Sequence, residues 1–209
     1  EPIYLDEAGG IGMFGVAYMA ECIPATATEP GIFRWDDLEY IEKRIKEIKA
    51  KCRWCVIVSH GGEEFPSLPS PYTRDRYLKF LELGADVVVG HHPHVPENYE
   101  LLPGGKAIFY SLGNFNMDPT SGMIFPATMP AYGLALHLYM EDKKLQKATF
   151  SLTVSRKEKG KLVSYPVHEI YPKLNKKQQA KMKREVKWVV ETVTRRPVGE
   201  QFIKEEYEV

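Results

Sequence analysis

Three histidines stand within four residues in the run GADVVVGHHPHVPEN from Gly84 to Asn98: His91, His92 and His94, with Pro93 stiffening the chain between the last two. Imidazoles packed this closely on a tight loop lose hydration and local freedom unless something pairs them, and a divalent metal ion does that well. A polar surface loop that happens to hold histidines is the alternative reading. Position favours the metal. Asp86 to Val89, mostly β-branched and flanked by glycines, reads as a short buried strand, and α/β proteins place their sites at the carboxyl ends of strands.

Two more strand ends carry polar residues. Trp54 to Ser59 reads as a strand followed at once by His60, Gly61, Gly62, Glu63 and Glu64, and Ala107 to Tyr110 reads as another followed by Ser111 to Asn114. Taken alone, His60 is as readily a hydrogen-bonded structural residue, and Asn114 beside Gly113 as readily a turn residue. Gathered together, His60, His92 and His94, with His91, Glu63, Glu64 and Asn114, offer imidazole and oxygen donors. That mixture suits zinc, manganese or iron, as one ion or two. Such an ion lowers the pKa of bound water and polarises a phosphoryl or carbonyl oxygen, while His91 or a glutamate could move protons. Ser59 immediately precedes His60, which is poor evidence for a serine nucleophile, and Ser111 has no evident base. Neither a GxxxxGK phosphate loop nor a dinucleotide fingerprint occurs.

The elements that must position these residues follow from periodicity. Asp36 or Asp37 caps a helix running to about Ala50, with Leu38, Ile41, Ile45 and Ile48 on one face. Ser70 followed by Pro71 starts a second helix that buries Tyr77, Phe80 and Leu81 and stops at Gly84. The Trp54 and Asp86 strands are therefore joined by a crossover helix and should run parallel. Upstream, Pro2 to Leu5 and Ile11 to Val16 read as strands joined by a turn at Glu7 to Gly10, and Tyr18 to Gly31 reads as loop. Glu97 to Leu102 reads as one turn before a break at Pro103 to Gly105. Met117 to Pro130 is irregular, its apolar residues through Met129 reading either as cover for the core, the commoner case, or as an exposed rim or partner surface. Beyond it, alternation at Leu134, Leu136 and Leu138, a turn at Asp142 and Lys143, and strands at Thr149 to Val154 and Leu162 to Val167 read as an antiparallel meander. His137 and His168 are structural in this reading. Asn175, with Gln178 in capping-box position, starts a last helix whose stripe is Met182, Val186, Val189, Val190 and Val193.

Composition narrows the function classes. The 209 residues suit one domain, spanning 1–209, and 28 Lys and Arg balance 28 Asp and Glu, which gives no argument for nucleic acid or an anionic membrane as partner. Three cysteines cannot build a disulfide framework, and Cys52 and Cys55 straddle a helix end and a strand start, as buried structural thiols do. No apolar run is long enough to cross a bilayer, and no signal peptide opens the chain. No feature assigns a compartment, so a cell-surface or extracytoplasmic setting and a cytoplasmic one both stay open.

The runs VSHGGEE from Val58 and LGADVVVGHHPHV from Leu83, then Glu100 and FYSLGNF from Phe109, resemble the bacterial capsule synthesis and poly-gamma-glutamate synthesis protein family. The resemblance runs from about Ile11 to Asp118, and through that family it extends to the calcineurin-like metallophosphoesterase superfamily. It implies an α/β fold, part of a four-layer α-β-β-α sandwich, with a divalent metal site at the strand ends. Carried over residue by residue, it implies His60, His92 and His94 as metal ligands, His91 and Glu64 as catalytic, and Glu100 and Asn114 as substrate-facing. It implies a metal-dependent hydrolase acting on an anionic or phosphorylated small molecule or cell-surface polymer. Non-catalytic binding or assembly is the alternative, and a single ion on His60, His92 and His94 is a third. The family's early aspartate, Gly-Asp and Asn-His motifs are not found before His60; Gly61 stands where tryptophan is common, and Thr73 where glutamine is. The expectation is a C-terminal portion of a metallophosphoesterase-like domain that lacks the N-terminal strands and whose partner half lies elsewhere. A naturally shortened relative is the other option.

Overall fold

The computed structural model describes residues 2–5, 10–18, 20, 22–117, 132–141, 144–200 and 202–209. Most of the turn expected at Glu7 to Gly10, the turn at Asp142 and Lys143, and nearly all of the apolar segment from Met117 to Met129 lie outside the described residues.

Parallel pairing dominates the larger sheet. Strands β1 (Ile3–Leu5), β2 (Ile11–Ala17), β3 (Trp54–His60), β4 (Val87–His91), β5 (Tyr99–Leu102) and β6 (Lys106–Phe109) lie in the order β1-β2-β3-β4-β6-β5. The central four, β2, β3, β4 and β6, run parallel, with β1 and β5 antiparallel at the edges. Two crossover helices serve this sheet. Helix α1 (Leu38–Lys49) is capped by Asp37, whose carboxylate accepts from Tyr40 N, and buries Ile41, Ile45 and Ile48. Helix α2 (Pro71–Glu82) is capped by Ser70 and buries Tyr77, Phe80 and Leu81. Both stripes pack with Cys55, Ile57, Val88 and Ile108 on one face of the sheet. Each fully buried aliphatic side chain there stabilises by about 1.5–3 kcal/mol. Cys52 and Cys55 are buried free thiols, as read from their positions, and burial pushes the Cys55 thiol up to about 12.

The opposite face of the same strands, through Val56, Val87, Ala107 and Phe109, meets Leu136, Leu138, Met140 and Ala148 of a second sheet. That sheet is antiparallel: β7 (Tyr132–Glu141), β8 (Lys144–Glu158), β9 (Lys161–Pro166) and β10 (Tyr207–Glu208), with β8 pairing all three others. A short helix α3 (Val167–Ile170) follows, and α4 (Lys176–Thr194), with its Asn175/Gln178 capping box, covers the far face through Met182, Val186, Val189, Val190 and Val193. His137 and His168 stay away from the histidine loop: His137 Nε2 lies 3.3 Å from Ser151 Oγ on the neighbouring strand, and His168 faces Glu169. Among the described residues no helix is long and apolar enough to cross a membrane.

Three expectations change. Glu97 to Leu102 is not a helical turn: its last four residues are β5, paired through Glu100 opposite Ile108, and Pro103 to Gly105 form the hairpin turn to β6. Its alternation is obscured because Leu101 stands 55% exposed. Strand β8 extends well beyond Thr149 to Val154, because its ladder continues past the apolar stretch into charged residues at both ends. Strand β10 leaves no sequence period at all; Tyr207 holds it by stacking on Phe150 at 5.1 Å.

The strand ends meet at very close quarters. A Cβ on Gly90 would lie 2.0 Å from the Tyr110 carbonyl oxygen and 2.8 Å from the Tyr77 hydroxyl. Overpacking by one methyl costs about 1–3 kcal/mol where neighbours can yield, and backbone cannot easily do so. Gly90→Ala should therefore lower unfolding free energy by about 3 kcal/mol or more in urea titration, whereas Gly160→Ala, with open space around it, should cost far less through its left-handed backbone alone.

Candidate metal centre

Register sets the first contact. Strands β3 and β4 pair with His60 opposite His91, and both side chains share the face of Val56 and Val87, so the two rings meet with Nδ1 atoms 3.1 Å apart. Where β4 ends the chain turns sharply, with His92 at φ 117° and His94 at φ 63°. Non-glycine residues seldom hold these conformations, and such strain gathers at sites where surrounding structure compels it. Two backbone bonds do the compelling: Gly61 N donates to His91 O, and Phe65 N to Pro93 O, at 3.0 and 2.9 Å. They tie the loop after β3 to the loop after β4.

The result is a cluster of four imidazoles. His92 Nδ1 lies 3.2 Å from His60 Nε2, and the His92 and His94 ring centroids are 5.8 Å apart. Phe65 stacks on His94. Glu64, from the first loop, approaches His94 Nε2 at 3.7 Å. Ligand atoms of Glu64, His92 and His94 all lie within 4.8 Å of one another.

These donors fit a divalent ion. Two imidazole nitrogens bound to one tetrahedral zinc at about 2.0–2.1 Å sit about 3.3 Å apart, close to the spacing of His60 and His92. Opposed ligands on one ion lie at most about 4.4 Å apart, so Glu64, His92 and His94 need only small side-chain movements to share one. Asn114 then has a defined part. Its carbonyl can only accept, so His94 Nδ1 donates to Asn114 Oδ1 at 2.9 Å, leaving the Nε2 lone pair directed toward Glu64. A partner on the far nitrogen that fixes ring and tautomer is the usual support of a metal-binding histidine.

The structure thus brings together His60, His91, His92, His94, Glu64 and Asn114. Asn114 lies in hydrogen-bond contact with the His94 ring. Glu100 stands apart: Arg74 donates to both its oxygens at 2.6 and 2.8 Å and Tyr110 donates at 2.7 Å, so it is a brace between α2 and β5. The Arg74 hydrogen bond holds its carboxyl below the usual range. Burial first, then His60 and His92, lower the His91 pKa to about 4, so its neutral form suits a lone-pair donor.

Two residues escaped sequence reasoning. Trp35, 1% exposed, fills the space beside Gly61: a Cβ there would lie 2.8 Å from Trp35 Cζ3, which accounts for the glycine where a tryptophan was expected. Glu97, 3% exposed, lies three residues past His94, and burial, then Glu63, push its carboxyl up to about 8. Its only signal was a carboxylate between Pro96 and Asn98.

Comparison with known proteins identifies the family of the chain. The family described as "Bacterial capsule synthesis protein PGA_cap" matches residues 13–119, just over half of the chain, and the chain belongs to that family. It is 37% identical over 108 residues to the "Capsule biosynthesis protein CapA" of Bacillus anthracis, covering 50% of this chain and 26% of that protein. It is 39% identical over 94 residues to the "PGA biosynthesis protein CapA" of Bacillus subtilis (strain 168), covering 45% and 24%. An uncharacterized protein of Sinorhizobium fredii, y4sH, is 32% identical over 84 residues. The matched segment spans about a quarter of the length of the two Bacillus relatives.

If Asn114 holds the His94 tautomer, Asn114→Leu should weaken binding of zinc or manganese by about 10–100-fold in calorimetric titration, the usual cost of losing such a support. Asn114→Asp, which keeps an acceptor, should recover most of that affinity. Equal affinity in the leucine variant would remove Asn114 from the centre.

Proposed function

Proceeding from that membership, we propose that the chain forms part of a metal-dependent hydrolase of phosphoester or related bonds, acting in capsule or poly-gamma-glutamate synthesis. The observation that carries this reading is the grouping of Glu64, His92 and His94 at the carboxyl ends of parallel strands, with His60 in contact with His92. The two sheets between flanking helices suit the α-β-β-α sandwich of the calcineurin-like metallophosphoesterases. In this reading the chain is the C-terminal portion of such a domain.

His92, His94 and Glu64 would hold the ion, with His60 as a further imidazole donor. A divalent ion bound there supplies Lewis acidity and a water of lowered pKa. The chain's own residues do the rest. Asn114 keeps the His94 lone pair in place, and Phe65 fixes the plane of its ring. His91, neutral across the physiological range, adds no positive charge to repel a cation. The substrate class is an anionic or phosphorylated small molecule or surface polymer, since a cationic centre binds and polarises such groups. Further ligands for a two-ion centre would come from segments beyond the described residues or from another chain.

Elemental analysis of the purified chain tests the ligand set. His92→Ala and His94→Ala should each sharply reduce bound metal, whereas His137→Ala should not, because His137 faces Ser151 on the second sheet. Hydrolysis of an aryl phosphodiester should fall with metal content and return on adding manganese or zinc. Unchanged stoichiometry in both site variants would overturn the assignment. A stably metal-free wild type would turn the proposal toward a binding module.

A further inference from the structure

The chain is neutral as a whole, with 28 basic and 28 acidic residues, yet its charges are unevenly spread. Residues 173–196 hold nine Lys and Arg against two Glu, an excess of seven positive charges, so the remainder of the chain carries seven negative ones. Helix α4 displays most of this excess. Its apolar stripe packs on the second sheet, and all nine cations of the segment are exposed. Among the described residues, only Lys181 and Lys187 of the nine have a carboxylate within 4.0 Å, Glu185 at 3.6 Å and Glu191 at 4.0 Å.

This placement works against the helix that carries it. Lys176 and Lys177 stand in the first turn, where the helix dipole favours carboxylates, and no acidic residue accompanies them there. Lys177 and Lys181, and again Lys183 and Lys187, are like charges four residues apart, a repulsive spacing on a helix. Both ion pairs have the lysine before the glutamate, the weaker order. Helix α1 shows the opposite arrangement in the same protein: Glu39 in its first turn, Lys46 and Lys49 in its last, and Glu42 paired with Lys46 four residues on. Charges that serve only the helix follow the α1 pattern. The α4 pattern calls for a negative partner.

Spacing and chemistry select the class of that partner. Lys177, Lys181 and Arg184 follow one line of the helix and Lys176, Lys183 and Lys187 a second beside it, a strip about 16 Å long at 1.5 Å per residue. Such a strip fits an extended polyanion better than one compact anion. With its apolar stripe buried, α4 has no free apolar face to enter a lipid layer. Its one aromatic residue, Trp188, packs on the same core, so the helix offers no free ring for stacking nucleic-acid bases. Six of the nine cations are lysines, point charges without the planar fork that suits phosphate. We propose that the exposed face of α4 is a docking track for a linear polycarboxylate of the polyglutamate type. The choice of polycarboxylate rests on the proposed role in capsule or poly-gamma-glutamate synthesis, whereas the track itself rests on α4 alone. This helix supplies none of the donors grouped at the histidine centre.

Fluorescence anisotropy of labelled polyglutamate, titrated with the full chain, tests the track. Binding should be saturable at low salt and weaken steadily as salt rises. The double variant Lys177→Glu, Arg184→Glu should lose affinity by about tenfold or more, because like charges then oppose the polymer. Both positions are exposed, and a glutamate in the first turn favours the helix, so the fold survives the change. Lys43→Glu with Lys46→Glu on α1 makes the same change in net charge at exposed positions and should leave affinity nearly unaltered. His92→Ala should bind the polymer as the wild type does, which separates the track from the histidine centre and from the hydrolase reading. Any of four results would overturn the proposal: no saturable binding, equal affinity in the two double variants, loss of binding in His92→Ala, or equally tight capture of single-stranded DNA or anionic lipid vesicles.

Discussion

Strands β3 and β4 run parallel with His60 opposite His91, and that register forces two imidazoles onto one face at the sheet's carboxyl edge. Everything else at the centre is arranged around this pair. Neutral His60 has one N–H and one lone pair but meets ring nitrogens of both His91 and His92, so the cluster can share protons only in one direction along its length. A cation in place of those protons satisfies several lone pairs together. The positive φ of His92 and His94 belongs to the same constraint, because only a tightly turned loop returns both rings to the strand they have just left.

Support comes from both sides of the sheet. On the helix side, Gly90 gives room for the Tyr110 carbonyl and the Tyr77 hydroxyl, so α2 and β6 close on β4 without displacing it. On the other side, Phe109 and Ala107 meet the antiparallel sheet, whose bridge from Gly133 to Gly113 lies next to Asn114. The backbone of Asn114 donates to Tyr132 O, at 3.1 Å, while its side chain accepts from His94. One residue thus connects the second sheet to the histidine loop. This gives the meander a part in the site although none of its described residues is among the donors grouped there.

Much of this is legible in the residues alone, for physical reasons. The helices announce themselves by Asp37, Ser70 and Asn175 at their caps and by apolar stripes at helical spacing. The β-branched runs announce β3 and β4, and their polar ends mark the edge where the site lies. What is not legible depends on contacts between distant segments. Glu97 looks like a loop carboxylate until the fold buries it to 3% exposure. Nothing local shows that Arg74, 26 residues from Glu100, donates to both its oxygens. Trp35 gives no hint that it fills the space beside Gly61, because nothing local connects the two.

The central claim is that Glu64, His92 and His94 hold one divalent ion, and anomalous X-ray scattering tests it most directly. A crystal grown with zinc or manganese, measured at the absorption edge of that metal, should show an anomalous peak about 2.0–2.3 Å from a carboxylate oxygen of Glu64 and ring nitrogens of His92 and His94. A crystal at full metal occupancy elsewhere, with no peak among these three side chains, would contradict it.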